Sequence, residues 1–355
     1  MFNNMIDKTK SNAIDYVKCI GIVLVIFGHY PNTIINILKP YMYHMPLFFF
    51  LGGILFNTKK GSIKHYKNLA IKYLLYIIMS YVFLGLTVKL MHYLFETQDK
   101  LIYVNNLYDS VMFALKSNFH NNPLFMVGWF LLSYMLVLVV AYPFYKIIET
   151  YLNETTAKVF SFAIGLAIGY VAITYVSPMY KESKMFYFNT LCQVMVGLSF
   201  FMIGYAAKNV IWKFLNPYTT FTLFLSVIFF RQSGLITNLY MSWSTYADGF
   251  VMSLVGALIG IYIIFFFADL FSKAGDYKLM RMVGSESKAI MTFHMLSFTI
   301  VDIIFSLLGF YTVDKKQILN HFTSAYSLPL NILIAIFLSI LLGKALRKLS
   351  KGVYA

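Results

Sequence analysis

Ten runs of apolar residues, each bounded by polar or charged connections, constrain this chain more than any other feature. They fall near 14–37, 42–57, 69–93, 123–146, 157–177, 188–207, 217–231, 249–271, 288–311 and 327–346. Most reach the roughly 20 residues a helix needs to cross a hydrocarbon core. The runs 42–57 and 217–231 are shorter, which suits tilted, broken or re-entrant segments. Lipid offers no hydrogen bonds, so each spanning segment must satisfy its own backbone, and a helix does so. Composition agrees: 59% of the residues are hydrophobic and 12% charged, against about half and a quarter in soluble domains. The expected fold is an all-α polytopic membrane protein, a bundle of about ten transmembrane helices.

The formal net charge of +15 does not point to nucleic acid, because the basic residues do not cluster around aromatic stacking platforms. They occupy the short connections between apolar runs, where they set topology. With the N-terminus inside, 20 of the 29 Lys and Arg fall in inside segments, so both termini are expected to be cytoplasmic. The run from Lys59 to Lys72 is the strongest orienting element. The longest connection, about 94–122, lies on the other side and reads as holding a short interfacial helix around Leu107 to Leu115. Residues 1–12 read as a polar cytoplasmic tail with no cleavage site, which makes Ile14 the start of a retained span. No linker or appended soluble domain is evident, so 1–355 reads as one membrane domain. Cys19 and Cys192 both lie in apolar runs without metal or disulfide spacing, and are expected to be buried and inert.

Within this apolar background, ionisable groups are the informative residues. Lys18 and His29 sit in the first run, eleven residues apart, so they share one helical face and stand roughly 16 Å apart along the axis. Burying such groups in a membrane helix costs a few kcal/mol each, and they commonly mark a substrate or proton path. Asp15, one turn before Lys18, is placed to hold its ammonium. The competing reading is structural: Lys18 snorkels to the headgroups and His29 bonds a carbonyl in the core.

The motifs around these residues resemble those of the acyltransferase 3 family of membrane acyltransferases, in the branch related to fucose 4-O-acetylase. The matching elements are Asp15, Lys18, ten residues ending in Gly28, then His29, followed by Tyr43-His44-Met45-Pro46-Leu47-Phe48-Phe49-Phe50 and the small pair Gly52-Gly53. Val127-Gly128-Trp129-Phe130-Leu131 and Gly284-Ser285-Glu286-Ser287 with Phe293-His294 are similar to later family blocks. Two departures stand out. Lys18 occupies a place where Arg is common, and a lysine meets a phosphate as a point charge without the bidentate fork. Gly52 stands where Ser is usual.

The resemblance implies acyl transfer, with acetyl-CoA as cosubstrate, no bound cofactor and no metal, in a bacterial cytoplasmic membrane. The implied acceptor is a sugar hydroxyl of a surface polysaccharide or a lipid-linked glycan. Lys18 would meet the CoA phosphates with help from Asp15, and His29 would meet the thioester. A neutral imidazole suits general-base work on a hydroxyl; a covalent acyl-histidine is the other route, and the residues do not separate them. His44 is a candidate for proton relay or acceptor orientation, or a structural cap. Pro46 fits the first turn of the second helix, and Gly52 and Gly53 fit close helix packing.

Four further residues are candidates for the acceptor or the cavity. Trp129 offers an aromatic face for a sugar ring, against an ordinary core role. His294 lies two turns into its run. Ser287 is placed to cap the ninth span. Arg231 ends a short run and could face Asp248. The pair Asn189 and Gln193 and the pair Asp302 and Ser306 read as interhelical bonding groups. The aromatic runs Phe48–Phe50 and Phe265–Phe267 read as lipid-facing or packing residues. Phosphate loops, zinc motifs and hydrolase elbows are absent. The alternatives are transfer of succinyl or another acyl group, and a transporter or flippase for glycan precursors, which the lack of an evident repeat weighs against.

Overall fold

The computed structural model describes residues 8–29, 39–59, 61–97, 101–236, 238–310, 327–350 and 353. Each of the ten apolar runs holds a helix among the described residues. Eight helices are long and apolar enough to span: α1 Lys8–His29, α3 Ser62–Phe95, α5 Gly128–Tyr151, α6 Glu154–Ser183, α7 Phe186–Ala207, α9 Gly249–Ala274, α11 Ser287–Leu307 and α12 Leu328–Leu349. The two short runs form α2 His44–Leu55 and α8 Pro217–Gln232. The short helix expected around Leu107 to Leu115 forms as α4, Leu107–Lys116, and a short amphipathic helix, α10 Lys278–Ser285, precedes α11. The only strands among the described residues form a ribbon between α8 and α9: β1 Leu239–Tyr240 pairs antiparallel with β2 Thr245–Tyr246.

Helix ends follow local chemistry. Asn153 accepts from Thr156 N at 2.9 Å to start α6, and Asn216 accepts from Tyr218 N at 2.8 Å ahead of Pro217 to start α8, supplying the acceptors that first-turn N–H groups lack. Pro46 sits in the first turn of α2, where its missing N–H costs nothing. The first run was expected to reach residue 37. Helix α1 is described only to His29, and Pro31, a candidate bend, lies outside the described residues.

α1, α7 and α11 are the most buried of the long helices, 61% to 67% of their apolar windows being enclosed. Around them, α2 packs on α7, α12 on α11, and α1 lies against α2, α9, α10 and α11. The α2–α7 crossing is a backbone contact. A Cβ on Gly53 would stand 1.9 Å from Phe201 O, and one on Gly204 would stand 2.0 Å from Phe50 O. Each glycine admits the other helix's backbone, as the Gly52-Gly53 pair led one to expect. Both cysteines are free and buried, also as expected.

Both described chain ends meet at one end of the bundle. Arg347, in the last turn of α12, forms a two-bonded pair with Glu286 at the start of α11, at 3.2 and 2.5 Å. A Cβ on Gly284 would stand 2.0 Å from Asp15 O in α1. At the opposite end, Ser242 O in the ribbon accepts from the side chains of Asn118, Asn189 and Gln193 at 2.6, 3.0 and 2.7 Å. Asn189 and Gln193 thus act as bonding groups between elements. Because the contacts at Gly53 are with backbone, which cannot move aside as a side chain does, Gly53→Ala is expected to lower stability by about 1–3 kcal/mol. Thermal unfolding in detergent reads this out; an unchanged midpoint would contradict the packing.

Candidate active site

The N-terminal part of α1 presents its cation to a cavity of about 200 Å³, lined by Lys18, Phe48, Leu51, Gly52, Leu55, Tyr73, Phe130, Leu131, Tyr134, Ser287, Lys288 and Met291. This volume suits a ligand chain better than one or two waters. Lys18 Nζ donates to Asp15 Oδ1 at 3.0 Å, and both side chains keep about a quarter of their surface accessible. The pair is the one that the i, i+3 spacing anticipated. Gly284, pressed on the Asp15 carbonyl, fixes the start of α11 against this turn of α1. That contact explains how Ser287 and Lys288 reach the same cavity as Lys18.

Three histidines gather further along α1. The His29 and His294 rings lie 5.1 Å apart between centroids. Tyr41, in the turn before α2, stands edge-on to both His29 (6.0 Å) and His44 (5.0 Å). A carbonyl only accepts, so the contacts of His294 Nδ1 with Met291 O at 2.8 Å and Ile290 O at 3.1 Å make Nδ1 the protonated nitrogen. By the same logic His44 Nδ1 donates to Pro40 O. Both histidines are buried, and a backbone carbonyl holds the Nδ1–H of each. Met291 lines the cavity and also holds His294, which makes the cavity and the histidine cluster neighbours along α11. Further outward, Tyr41 lies 5.5 Å from Tyr240 in the ribbon, and Trp243 of the same ribbon lies tilted against His120 at 4.5 Å. Tyr240 and Trp243 are each about 40% exposed.

The structure therefore brings Lys18 and Ser287 to the cavity, with Asp15 paired to Lys18 behind the wall, and His29, His44 and His294 to one cluster. It does not bring the other two candidates there. Trp129 is buried beside Phe130, and Phe130 and Leu131 line the cavity in its place. Arg231 sits in the last turn of α8, whose main neighbour is α9, and is absent from the cavity wall. One further expectation needs correcting. Ser287 was read as a cap, but it is the first residue inside α11, and the position before it, Glu286, makes no side-chain cap. Phe48 packs edge-on against Phe130, one of the two roles expected of it, and it lines the cavity as well.

Sequence reasoning also missed Lys288, Tyr73, Tyr134 and Tyr41. Lys288 had been counted as a topology signal; the available clue was its place directly after the Gly284–Ser287 block. Among the described residues no cluster of His, Cys, Asp or Glu is suited to a metal ion.

Residues 11–347 match the family model described as an acyltransferase domain, that of the acyltransferase 3 family. The chain belongs to that family, and it is a multi-pass membrane acyltransferase. No curated protein and no solved structure matches it.

Gly52 adds a feature of this chain's own. A Cβ there would stand 2.5 Å from the Tyr134 hydroxyl and 3.1 Å from its ring. Tyr134 thus fills the space that a side chain at 52 would take. Gly52→Ala is expected to destabilise the wild type more than a Tyr134→Phe background, with a coupling on the order of 1 kcal/mol. Thermal unfolding of the four proteins in the cycle measures it, and additivity would show that the two positions do not compete.

Proposed function

We propose that the protein moves an acetyl group from acetyl-CoA to a sugar hydroxyl, as a member of the fucose 4-O-acetylase-like branch of its family, in a bacterial cytoplasmic membrane. The observation that carries this reading is the continuity along α1 and α11 between a cation-bearing cavity and a histidine cluster. An acyl-CoA has phosphates at one end and a thioester at the end of a long flexible arm. The roughly 16 Å rise from Lys18 to His29 is of the same order as that arm. In this reading Lys18, oriented by Asp15, holds donor phosphate, and the arm runs past Met291 to the histidines.

His29 then removes the proton of the acceptor hydroxyl as its oxygen attacks the thioester carbonyl. The carbon–sulfur bond breaks, and the departing CoA sulfur takes the proton back from the imidazolium. His294, with its Nδ1–H held by backbone, and Tyr41 position the His29 ring, and His44 fixes the Tyr41 edge. The acceptor approaches from the opposite end of the bundle over Tyr240 and Trp243, whose exposed faces suit a sugar ring. The rigid anchoring of Ser242 by three amides supports a preformed surface there.

Purified protein in lipid, given labelled acetyl-CoA and a total surface-glycan extract, tests the reading. His29→Ala is expected to lower kcat by about 10²–10⁴ while donor binding persists. Lys18→Gln is expected to raise the donor KM with a smaller change in kcat. Labelled succinyl-CoA working in place of acetyl-CoA would change the acyl group assigned. Absence of both transfer and donor binding in the wild type would overturn the proposal and favour a transport role. Rates measured across donor and acceptor concentrations distinguish direct transfer, which gives intersecting lines, from an acyl-histidine, which gives parallel ones.

A further inference from the structure

Two ammonium groups line the same apolar-walled cavity, and their surroundings differ. Lys18 has a carboxylate at 3.0 Å. Lys288 pairs with no carboxylate among the described residues. Its Nζ reaches Lys72 O at 3.4 Å and lies over the ring of Tyr76 at 4.2 Å, with the Tyr73 ring at 6.0 Å. The carboxylate nearest in sequence, Glu286, already has both its oxygens on Arg347. Lys72 and Arg347 add like charge around the site, and among the described residues Glu286 opposes it. Ring faces and one long carbonyl contact compensate an ammonium only in part, and a cation held in apolar surroundings without a counter-charge is costly.

Depth separates the two lysines. Lys288 stands six residues before His294, roughly 9 Å along α11, whereas Lys18 stands roughly 16 Å from His29 along α1. The cavity therefore offers two cationic points at different distances from the histidine cluster. An ammonium acts as a compact point charge, which suits one phosphate group at each point.

We infer that Lys288 is a second anion-binding residue of the donor cavity, so that the cavity recognises a ligand bearing two separate phosphate groups, one at Lys18 and one at Lys288. The inference rests on the donor reading above, and it assigns Lys288 a role in specificity, apart from the chemistry at His29. It accounts for an incompletely paired cation on the cavity wall.

Stepwise removal of phosphate from the ligand provides the test. Binding of CoA, 3′-dephospho-CoA, 4′-phosphopantetheine and pantetheine is measured by equilibrium titration on full-length protein in phosphatidylcholine nanodiscs. Wild type, Lys18→Gln, Lys288→Gln and Lys288→Arg are compared, with thermal unfolding as the control for folding. Lys288→Gln is expected to weaken CoA binding about tenfold or more. It should also abolish the wild-type response to one phosphate-removing step, while Lys18→Gln abolishes the response to another and Lys288→Arg keeps the wild-type pattern.

If Lys288→Gln follows the wild type at every step while CoA still binds, the inference is overturned and the donor reading stands. If the wild type binds none of the four ligands, the donor reading fails and the inference falls with it. A separate arm adds phosphatidylglycerol to the nanodiscs. Should Lys288→Gln change only the competition by that lipid, the residue holds a lipid headgroup and the inference is likewise overturned.

Discussion

A charged group carried into the apolar part of a helix bundle must be neutralised, hydrated or put to use, and the placement of Lys18 depends on how this chain meets that requirement. Asp15 supplies the counter-charge within the same helix at 3.0 Å. Gly284 then brings α10 and the start of α11 onto the Asp15 carbonyl, at a distance no other residue type would permit. From that one contact follow the approach of Ser287 and Lys288 to Lys18, the cavity between them, and the position of His294 two turns further along α11. The Glu286–Arg347 pair ties α12 to the same place. The charged end of the bundle is therefore organised around a glycine resting on a peptide carbonyl.

The histidine cluster is assembled differently. Side chains from α1, α11, the start of α2 and the turn before it converge there, and backbone carbonyls hold Nδ1 of both His44 and His294. A backbone acceptor holds the ring without adding charge, which suits an apolar setting. Tyr41 joins the cluster to the ribbon, and the ribbon is held by the Asn118, Asn189 and Gln193 amides. The two ends of the protein thus use separate devices, ion pairs at one and amide networks at the other, with α1 and α11 running between them.

Much of this was legible in the sequence. Hydropathy located all ten helices because a bilayer demands length and apolarity within each segment, and it also flagged α2 and α8 as short. Spacing placed Asp15, Lys18 and His29 on one face, and Pro46 and Gly53 behaved as their chemistry suggests. The remainder depends on tertiary approach. Whether Trp129 or Phe130 faces a cavity is set by the rotation of α5 against α2, which a locally apolar run does not encode. Lys288 resembled any other lysine at a helix start until Gly284 brought it beside Lys18. Tyr41 lay in a turn, where nothing in its neighbours announced that two histidines would close on it. Arg231 attracted attention as a lone cation, yet α8 packs chiefly on α9 and leaves it away from the cavity wall.

If the cavity at Lys18 and the cluster at His29 are two ends of one donor site, as proposed, a bound donor must reach both. A structure of the protein in lipid with a non-hydrolysable acetyl-CoA analogue, its thioester sulfur replaced by methylene, tests this most directly. Phosphate density is expected within contact of Lys18 and the acetyl carbonyl beside His29, with the arm passing Met291. An analogue bound with its acetyl group away from His29 and His294, or with no phosphate near Lys18, would contradict the proposal.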